Sequence, residues 1–341
     1  MKNYSVDDAL DLFNEDLYKE IILSPEVMRL NDISFLGSME KTEKVKKTSR
    51  FDHSIGVAYL AQKASEKLDL KPETKRYLII ASLLHDIGHG PLSHSLEPII
   101  KGILKIDHST LTKRLIVGTY KLAAEEKNNI YKILKKYNID HTKITDILNG
   151  KSNDFGSLLF KNPFNIDTLD GINRVAFSLD INYMEPEQIV DLFYIKGDKI
   201  LVCAKNKNVF DNFWDLKRHI YLEYIYNEDN LSSEILLQKY YEYIFDEKDI
   251  KNFALINDEK LFGYLKETNN SENRKKFISS CKDNFKIKHN LKCFFRYNTN
   301  YFHFDSDEID LNDFCLTYKR NLKEKEFEIA LEENKIINLI Q

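Results

Sequence analysis

The stretch HDIGHGPLSH, residues 85–94, places histidines and an aspartate at close spacing in the first third of the chain. His53 lies upstream of it, in RFDHSIG, and Asp167 lies downstream, in NIDTLDGINR. Imidazole nitrogens and carboxylate oxygens form the mixed ligand set that suits a divalent metal ion used for hydrolysis. The three segments together therefore predict an enzyme rather than a binding module.

The segments around these residues predict a helical hairpin. Apolar residues recur at helical spacing over residues 54–68 and 75–85, and residues 69–72 between them end in a proline that favours a helix start. If the two helices pack antiparallel, His53 at the start of the first comes close to His85 and Asp86 at the end of the second.

The composition favours helices over the rest of the chain as well. The chain has 341 residues, 43% of them hydrophobic, so it can bury a core as one large domain or two smaller ones. Only 6 prolines and 11 glycines are available to punctuate many short strands. We therefore expect a mainly α fold with small β-hairpins in the C-terminal part.

Further elements follow from periodicity and turn residues. Helices are expected at residues 111–124, 129–136, 167–179 and 209–226, and a polar surface loop at 149–154. Residues 192–195 and 199–204 predict a β-hairpin with a glycine in its turn, and a second hairpin is expected around residues 291–304.

Charge and cysteine content narrow the setting. The net charge of −4 offers no general basic field, so an anionic substrate must be bound by a local site. The cysteines lack CxxC spacing, which argues against a zinc ribbon or a disulfide framework and favours a reduced cytoplasmic compartment. The acidic N-terminus is unlike a signal peptide, and the longest apolar run, residues 78–84, is too short to span a membrane.

Four segments carry a resemblance to a known family. RFDHSIGVAYLA, SLLHDIGHGPLSH, the helix around Asp167, and LFYIKGDKILVCAKNKNV followed by KRHIYLEYIY resemble the HD-domain deoxynucleoside triphosphate triphosphohydrolases. That family includes the bacterial dGTPases and the SAM- and HD-domain restriction factor. The resemblance covers residues 24–229 and implies a helical HD fold. We expect an HD catalytic core at residues 1–190 and, at 191–341, a mostly helical lobe that packs on it and completes the substrate pocket.

The resemblance implies a metal centre and a proton donor. It makes His53, His85, Asp86 and Asp167 the ligands of one divalent ion, which leaves open positions for water and a substrate oxygen. The metal itself stays open among manganese, magnesium, iron, nickel and zinc. The general acid implied is His94, whose basicity Glu97, three residues on, can raise.

Other positions are implied to contact the substrate. His89 and His108 would bind the α-phosphate, although Ser109 stands where the family has a glutamate. Arg50 and Arg218 would contact phosphates, and Tyr226 the sugar. Arg218 could instead lie on a solvated helix face and Tyr226 in an aromatic stripe. Asp170 and Arg174, four residues apart, are interpreted as a helix ion pair.

Several positions depart from the family. A basic residue, a tyrosine, an aspartate and a glutamine that bind phosphate or sugar are replaced here by Thr168, Gly171, Val175 and Phe35. Sugar preference therefore does not follow from the resemblance. The positions that bind activating nucleotides between subunits are replaced by Leu23, Met28, Asn31, Glu228 and Asp229. Since carboxylates repel a triphosphate, we predict no activation by nucleotides bound in that manner.

The leading hypothesis is a metal-dependent phosphohydrolase. It would convert (deoxy)nucleoside triphosphates to nucleoside and triphosphate by attack of a metal hydroxide on the α-phosphorus, and it would form a homo-oligomer. One alternative is an HD phosphodiesterase or nuclease acting on oligonucleotides or 3′-substituted nucleotides, weakly supported by basic and aromatic residues at 274–304 that could follow a single strand. A second alternative is a nucleotide-binding protein without turnover.

Overall fold

The computed structural model describes residues 1–42, 44–120, 129–151, 154–161, 164–280, 285–293, 308–310, 321–329 and 333–340. Helices dominate these residues, and the strands form two small antiparallel sheets. The predicted mainly α fold is therefore confirmed. No helix in the part of the chain that the structure describes combines the length and apolar character needed to cross a membrane.

The predicted helical hairpin is present as α5 and α6. With the four preceding helices, the elements are α1 Val6–Leu12, α2 Asp16–Ile22, α3 Pro25–Met28, α4 Met39–Thr42, α5 Arg50–Lys67 and α6 Pro72–Leu84. Helix α5 begins four residues earlier than predicted because Ser49 and Asp52 form a capping box, in which each side chain accepts from the other's backbone N–H. This early start places His53 in the first turn of α5.

The described residues in the middle of the chain form seven helices, of which four were not predicted. They are α7 Glu97–Leu104, α8 His108–Ile116, α9 Ile130–Lys136, α10 His141–Asn149, α11 Phe155–Lys161, α12 Ile166–Ser178 and α13 Pro186–Val190. The unpredicted helices are α7, α10, α11 and α13. The helix predicted at 111–124 was wrong at its end: α8 stops at Ile116, and Gly118 follows with a φ of 75° that a helix does not accommodate. Residues 121–124 lie outside the described residues.

The strands confirm the first predicted hairpin and leave the second open. The strands are β1 Tyr194–Lys196, β2 Lys199–Cys203, β3 Phe285–Cys293, β4 Glu308–Asp310 and β5 Asn321–Ile329. β1 and β2 pair antiparallel around Gly197, and β4 adds a third strand along β2. Of the hairpin predicted around 291–304, residues 291–293 belong to β3, which pairs with β5, and residues 294–304 lie outside the described residues.

Two hydrophobic cores meet at the histidine-rich segment. The remaining helices are α14 Lys207–Ile220, extended by a π-helical turn at Tyr221–Ile225, then α15 Glu228–Ile244, α16 Glu247–Phe253, α17 Asp258–Thr268, α18 Ser271–Ser280 and α19 Glu333–Ile340. The first core runs from Ala9 to Ile220 and contains Ile87. The second contains Leu92 and Leu96 together with side chains of α15 to α19. The segment after α6 is thus anchored in both cores. The division at residues 190 and 191 stays a prediction.

Candidate active site

Helix ends bring the four predicted metal ligands together. His53 lies in the first turn of α5, Asp167 in the first turn of α12, and His85 and Asp86 directly follow α6. The Nε2 atom of His53 is 3.0 Å from Asp167 Oδ1 and 3.2 Å from His85 Nε2. Asp86 Oδ1 is 3.4 Å from His85 Nε2, and Asp86 Oδ2 is 3.8 Å from His53 Nε2. The four side chains therefore point at one small volume.

This spacing fits a metal ion. Neighbouring ligands that each bind an ion at roughly 2.0–2.1 Å place their own atoms about 2.8–3.4 Å apart in octahedral or tetrahedral geometry. The ligand atoms of His53, His85 and Asp86 all lie within 4.8 Å of one another. The Nε2 atoms of His53 and His85 also face each other. When neither carries a proton, a cation between them stabilises this arrangement. The residues present thus fit a divalent cation.

Each ligating imidazole is fixed from behind. The Nδ1 of His53 is 2.7 Å from Asp170 Oδ2, and the Nδ1 of His85 is 2.7 Å from the backbone carbonyl of Ser82. A proton on each Nδ1 donates to these oxygens and leaves the Nε2 lone pair for the metal. Arg174 holds Asp170 through two bonds of 2.8 and 3.0 Å.

The sequence analysis missed this role of Asp170. The helix ion pair with Arg174 is present, as interpreted, but Asp170 also orients His53, 117 positions away in the chain. One signal could have found it: Asp167 and Asp170 are three residues apart, which places both carboxylates on one face of α12.

Arg50 lies against a metal ligand. Its Nη1 donates to Asp86 Oδ2 at 2.8 Å in a buried ion pair, and its Nε donates to Ser93 Oγ at 2.8 Å. The guanidinium also lies 4.7 Å from the centre of the Phe35 ring. Burial alone would raise the pKa of Asp86, but His85 and Arg50 hold it well below its ordinary value. Asp86 is therefore ionised and available to a cation.

A second group of imidazoles adjoins the metal ligands. Glu97 Oε2 accepts from His94 Nδ1 at 2.8 Å, and its Oε1 accepts from His108 Nδ1 at 2.5 Å. His89 stacks on His108 with ring centres 4.0 Å apart, and its Nε2 is 3.4 Å from Asp86 Oδ1. Asp86 thus borders both groups, and one carboxylate, Glu97, fixes two imidazoles.

Two imidazoles of the second group, those of His89 and His94, have lowered pKa values, which favours their neutral forms. Burial lowers the pKa of His89, and desolvation in the pocket lowers that of His94, although 60% of the His94 side chain is exposed. Burial would raise the pKa of Glu97, but the hydrogen bonds from His108 and His94 outweigh it and hold that pKa far below its ordinary value. With Nδ1–H given to Glu97, the Nε2 of His94 is the atom that can take up or release a proton.

A cavity of about 310 Å³ opens beside both groups. Its wall includes the positions at which the sequence departs from the family, namely Phe35, Thr168, Gly171 and Val175. A larger cavity of about 750 Å³ lies away from the histidines, among α1, α2, α6 and α9. The smaller cavity is the candidate substrate pocket because it alone of these two contains His53, His94 and Asp167.

Two predicted substrate contacts lie off this wall, and one residue was missed. The wall includes Lys217 and Tyr221, rather than Arg218 and Tyr226. It also includes Glu234 of α15, whose pKa burial raises to about 7 while a hydrogen bond from Ser95 opposes that rise. No sequence signal pointed to Glu234, because it lies beyond the segments that resemble the family.

Comparison with known families agrees with this geometry. Residues 50–159 match the family model of the HD domain. The matched range contains His53, His85 and Asp86 and the whole second imidazole group, whereas Asp167 lies beyond it. The predicted resemblance to HD-domain proteins is therefore confirmed.

Relatives of known sequence are similar at modest identity. The chain is 24% identical over 232 residues to the uncharacterized protein YwfO of Bacillus subtilis, covering 66% of this chain and 51% of that protein. It is 25% identical over 252 residues to the deoxynucleoside triphosphate triphosphohydrolase SAMHD1 of Gallus gallus, covering 61% and 41%. The chain spans about half or less of the length of these relatives.

Solved structures share the fold. A phosphohydrolase from Bacteroides thetaiotaomicron superposes with a TM-score of 0.65 at 18% identity, over 82% of this chain and 76% of that one. A hypothetical protein from Aquifex aeolicus superposes with a TM-score of 0.62 at 22% identity, over 81% and 75%. At these identities the likeness describes the fold alone.

Proposed function

We propose that this HD-domain chain is a metal-dependent phosphohydrolase that acts on nucleotides, with (deoxy)nucleoside triphosphates as substrates and nucleoside and triphosphate as products. One observation carries the proposal. Asp86 Oδ1 lies 3.4 Å from the Nε2 of His85 and 3.4 Å from the Nε2 of His89, so a cation site and a proton-transfer site share a carboxylate. Hydrolysis of a phosphate ester needs both functions next to each other.

Metal binding, phosphate binding and proton donation are assigned to different residues. His53, His85, Asp86 and Asp167 would hold the metal, which when bound supplies a Lewis acid and a water of lowered pKa. His89 and His108 lie where they can donate to the oxygens of the attacked phosphate. His94 would give its Nε2 proton to the leaving nucleoside oxygen.

Glu97 makes His94 suitable for this role. In the free protein desolvation lowers the pKa of His94, which favours its neutral form. A phosphate bound at His89 and His108 brings negative charge, which raises the pKa of a neighbouring imidazole. Protonation of His94 is then coupled to substrate binding, and Glu97 stabilises the imidazolium through Nδ1.

The substrate class rests on the similarity to the Gallus gallus protein and on the cavity beside the metal group. The sugar preference is left out of the proposal because the wall at Phe35, Thr168, Gly171 and Val175 offers few groups that bind a hydroxyl. A second candidate is a phosphodiesterase or nuclease that accepts a 3′-extended nucleotide. The open space at Gly171 favours it, since a Cβ there would meet nothing nearer than 3.7 Å.

Product analysis with manganese tests the proposal. The purified protein is incubated with dNTPs, NTPs and short single strands, and the released phosphate species are identified. Release of intact triphosphate is expected. Release of orthophosphate or pyrophosphate would show attack at another phosphorus, and shortened strands with intact dNTPs would favour the second candidate. Stoichiometric nucleotide binding without any product would indicate a binding protein.

A homo-oligomer and a reduced cytoplasmic setting are expected, and single-stranded nucleic acid is a partner only under the second candidate. Cys203 is a free cysteine in the described part of the chain, whereas Cys281 and Cys315 lie outside it.

A further inference from the structure

Asp258 connects helix α17 to two loops beside the site. It is the first residue of α17, yet its Oδ2 accepts from the backbone N–H of Ser34 at 2.9 Å and its Oδ1 from the backbone N–H of Leu92 at 2.7 Å. These donors are 224 and 166 positions away in the chain. One partly buried carboxylate therefore joins two loops that are distant from it in the sequence.

The loop that contains Leu92 carries the proposed general acid, His94. Leu92 and Ser93 have φ values of 55° and 52°, in the left-handed region that non-glycine residues avoid. Such a conformation costs on the order of 1–2 kcal/mol per residue and persists only where the surroundings hold it. Asp258 binds the first residue of this turn, and His94 follows directly after it.

The loop that contains Ser34 carries Phe35, an aromatic residue of the pocket wall. Ser34 precedes Phe35, whose ring centre is 4.7 Å from that of His53 and 4.7 Å from the Arg50 guanidinium. Ser93 Oγ donates to the carbonyl of Ser34 and accepts from Arg50, so the two loops also hold each other. Asp258 adds a further link between the two loops, because it accepts from the N–H groups of both Ser34 and Leu92.

The lobe contact contains further bonds that do not reach the two amides. Asn257 Nδ2 donates to Asp32 Oδ2 at 3.2 Å, and Arg29 donates to the carbonyls of Ile256 and Ile87 at 3.3 and 2.7 Å. Burial raises the pKa of Asp258 to about 6, against the opposing effect of the two amide donors. Keeping a charged group there at neutral pH costs stability, which is expected where a residue serves function.

We propose that Asp258 is a positioning residue, which sets His94 and Phe35 by holding the backbone amides of Leu92 and Ser34. The proposal rests on the proposed function for the proton-donating role of His94. Asp258 itself touches neither the ligand atoms nor the cavity wall.

The Asp258→Asn variant tests it. The amide keeps the size of the side chain but has one acceptor in place of two, so one loop loses its hold. We expect kcat to fall about tenfold or more, as one misplaced catalytic group allows, while KM and metal content stay near those of the wild type. The matched control is Glu259→Gln, an exposed neighbour in α17, with unchanged kcat.

A second variant separates positioning from lobe docking. Asp32→Ala removes the bond from Asn257 Nδ2 without touching either amide or the N-cap that Asn257 Oδ1 provides for α17, so its kcat should stay near the wild-type value. Equal losses in Asp32→Ala and Asp258→Asn would overturn the proposal, as would an unchanged kcat in Asp258→Asn. If the asparagine variant does not fold, Asp258→Glu keeps the charge but shifts it by a methylene group, and unchanged kcat there overturns the proposal.

NMR of the histidine rings distinguishes this proposal from the proposed function. The His94 resonances, identified by their loss in His94→Asn, should shift or broaden in Asp258→Asn without any substrate present. A shift in a chain that hydrolyses nothing would leave positioning intact and overturn the proposed function. Active wild type with identical His94 resonances in both proteins would overturn the positioning role alone.

Discussion

Two neighbouring groups of side chains differ in their balance of carboxylates and imidazoles. The metal group consists of His53, His85, Asp86 and Asp167, and the imidazole group consists of His89, His94 and His108 with Glu97. In the metal group, Asp86 and Asp167, together with the neighbouring Asp170, face two imidazoles, and the hydrogen bonds that His53 donates to Asp167 and Asp170 outweigh burial and raise the pKa of His53 to about 9. In the imidazole group, Glu97 binds two of the three imidazoles, those of His94 and His108, and desolvation lowers the pKa of His89 and of His94.

This difference shows how one fold separates two kinds of chemistry within a few ångströms. Carboxylate excess on the first side favours a bound cation, whereas carboxylate scarcity on the second favours neutral rings that exchange a proton. The supports differ in the same way. Helix ends from the first core fix the metal group, while His94 of the imidazole group follows a left-handed turn that is anchored in the second core.

Removing a carboxylate from the metal group should give the largest effect. Asp167 has a half-exposed side chain, so Asp167→Ala should leave the protein folded while removing a ligand. We expect loss of bound metal and a fall in activity greater than the roughly 10²–10⁴-fold that one general acid contributes. Metal analysis and product release measure it.

Asp180→Ala, at an exposed aspartate paired with Lys46, is the matched control and should keep both metal and activity. A fully metal-loaded, active Asp167→Ala protein would contradict the assignment of Asp167 as a ligand.

Changing the imidazole group should separate proton transfer from metal binding. His94→Asn leaves all four metal ligands in place, so metal content should equal that of the wild type. Activity should fall about 10²–10⁴-fold, and least for substrates with good leaving groups, because these need no proton donor. The activity of Glu97→Gln should lie between that of the wild type and that of His94→Asn. Equal losses for good and poor leaving groups would argue against His94 as the acid.

How far the sequence predicts these two groups depends on the range of the contacts. The spacing of apolar residues gave the α5–α6 hairpin, and helix ends within it account for the approach of His53 to His85. The bond from Asp170 to His53 joins residues 117 positions apart, and the bonds of Asp258 join residues 166 and 224 positions apart. No local pattern indicates the bonds of Asp258, and for Asp170 only its three-residue spacing from Asp167 points to the site.

Local conformation limited the prediction in a similar way. Apolar periodicity continues past Ile116, but Gly118 in a left-handed turn ends α8, and periodicity does not report backbone angles. The left-handed turn at Leu92 and Ser93 was not expected, since neither residue favours that conformation. Long-range contacts accompany it: Asp258 of α17 accepts from the N–H of Leu92, whose side chain lies in the second core.

The pH dependence of metal binding should sharpen the contrast. In the metal-free protein the proton on His53 must leave before Nε2 can bind, so metal affinity should rise about tenfold per pH unit and level off near pH 9. Protonated His53 also stabilises the metal-free fold below about pH 6.5, a contribution lost as the pH rises through 9. Manganese should therefore raise the melting temperature more at pH 8.5 than at pH 6.5. Equal increases at both values would contradict the raised pKa.

Weakening the support of His53 should cost less than removing a ligand. Asp170→Asn keeps the size of the side chain but loses the charge that fixes the Nδ1 proton and pairs with Arg174. Loss of such a partner lowers metal affinity by roughly 10–100-fold. Metal titration against the melting temperature of the metal-free protein separates this effect from general destabilisation. An unchanged metal affinity would return Asp170 to a purely structural ion pair.

The smallest effect is expected on the open wall of the metal group, at Gly171 of α12. A Cβ there lies 3.7 Å from His53 Cε1 and from Phe35 Cζ, which is ordinary contact. Gly171→Ala should raise the free energy of unfolding by about 0.5–1 kcal/mol, since glycine weakens a helix interior. Denaturant unfolding measures this gain, and kcat/KM should change less than about twofold.

Gly56→Ala is the opposing control, because its Cβ would collide with the Asp170 carboxylate and the Arg174 guanidinium. It should weaken metal binding as Asp170→Asn does. If Gly171→Ala instead lowers kcat/KM strongly with metal content unchanged, the substrate itself occupies the space at Gly171. The wall of the metal group would then select the substrate as well as hold the cation, and the division of labour between the two groups would be less complete than their charges indicate.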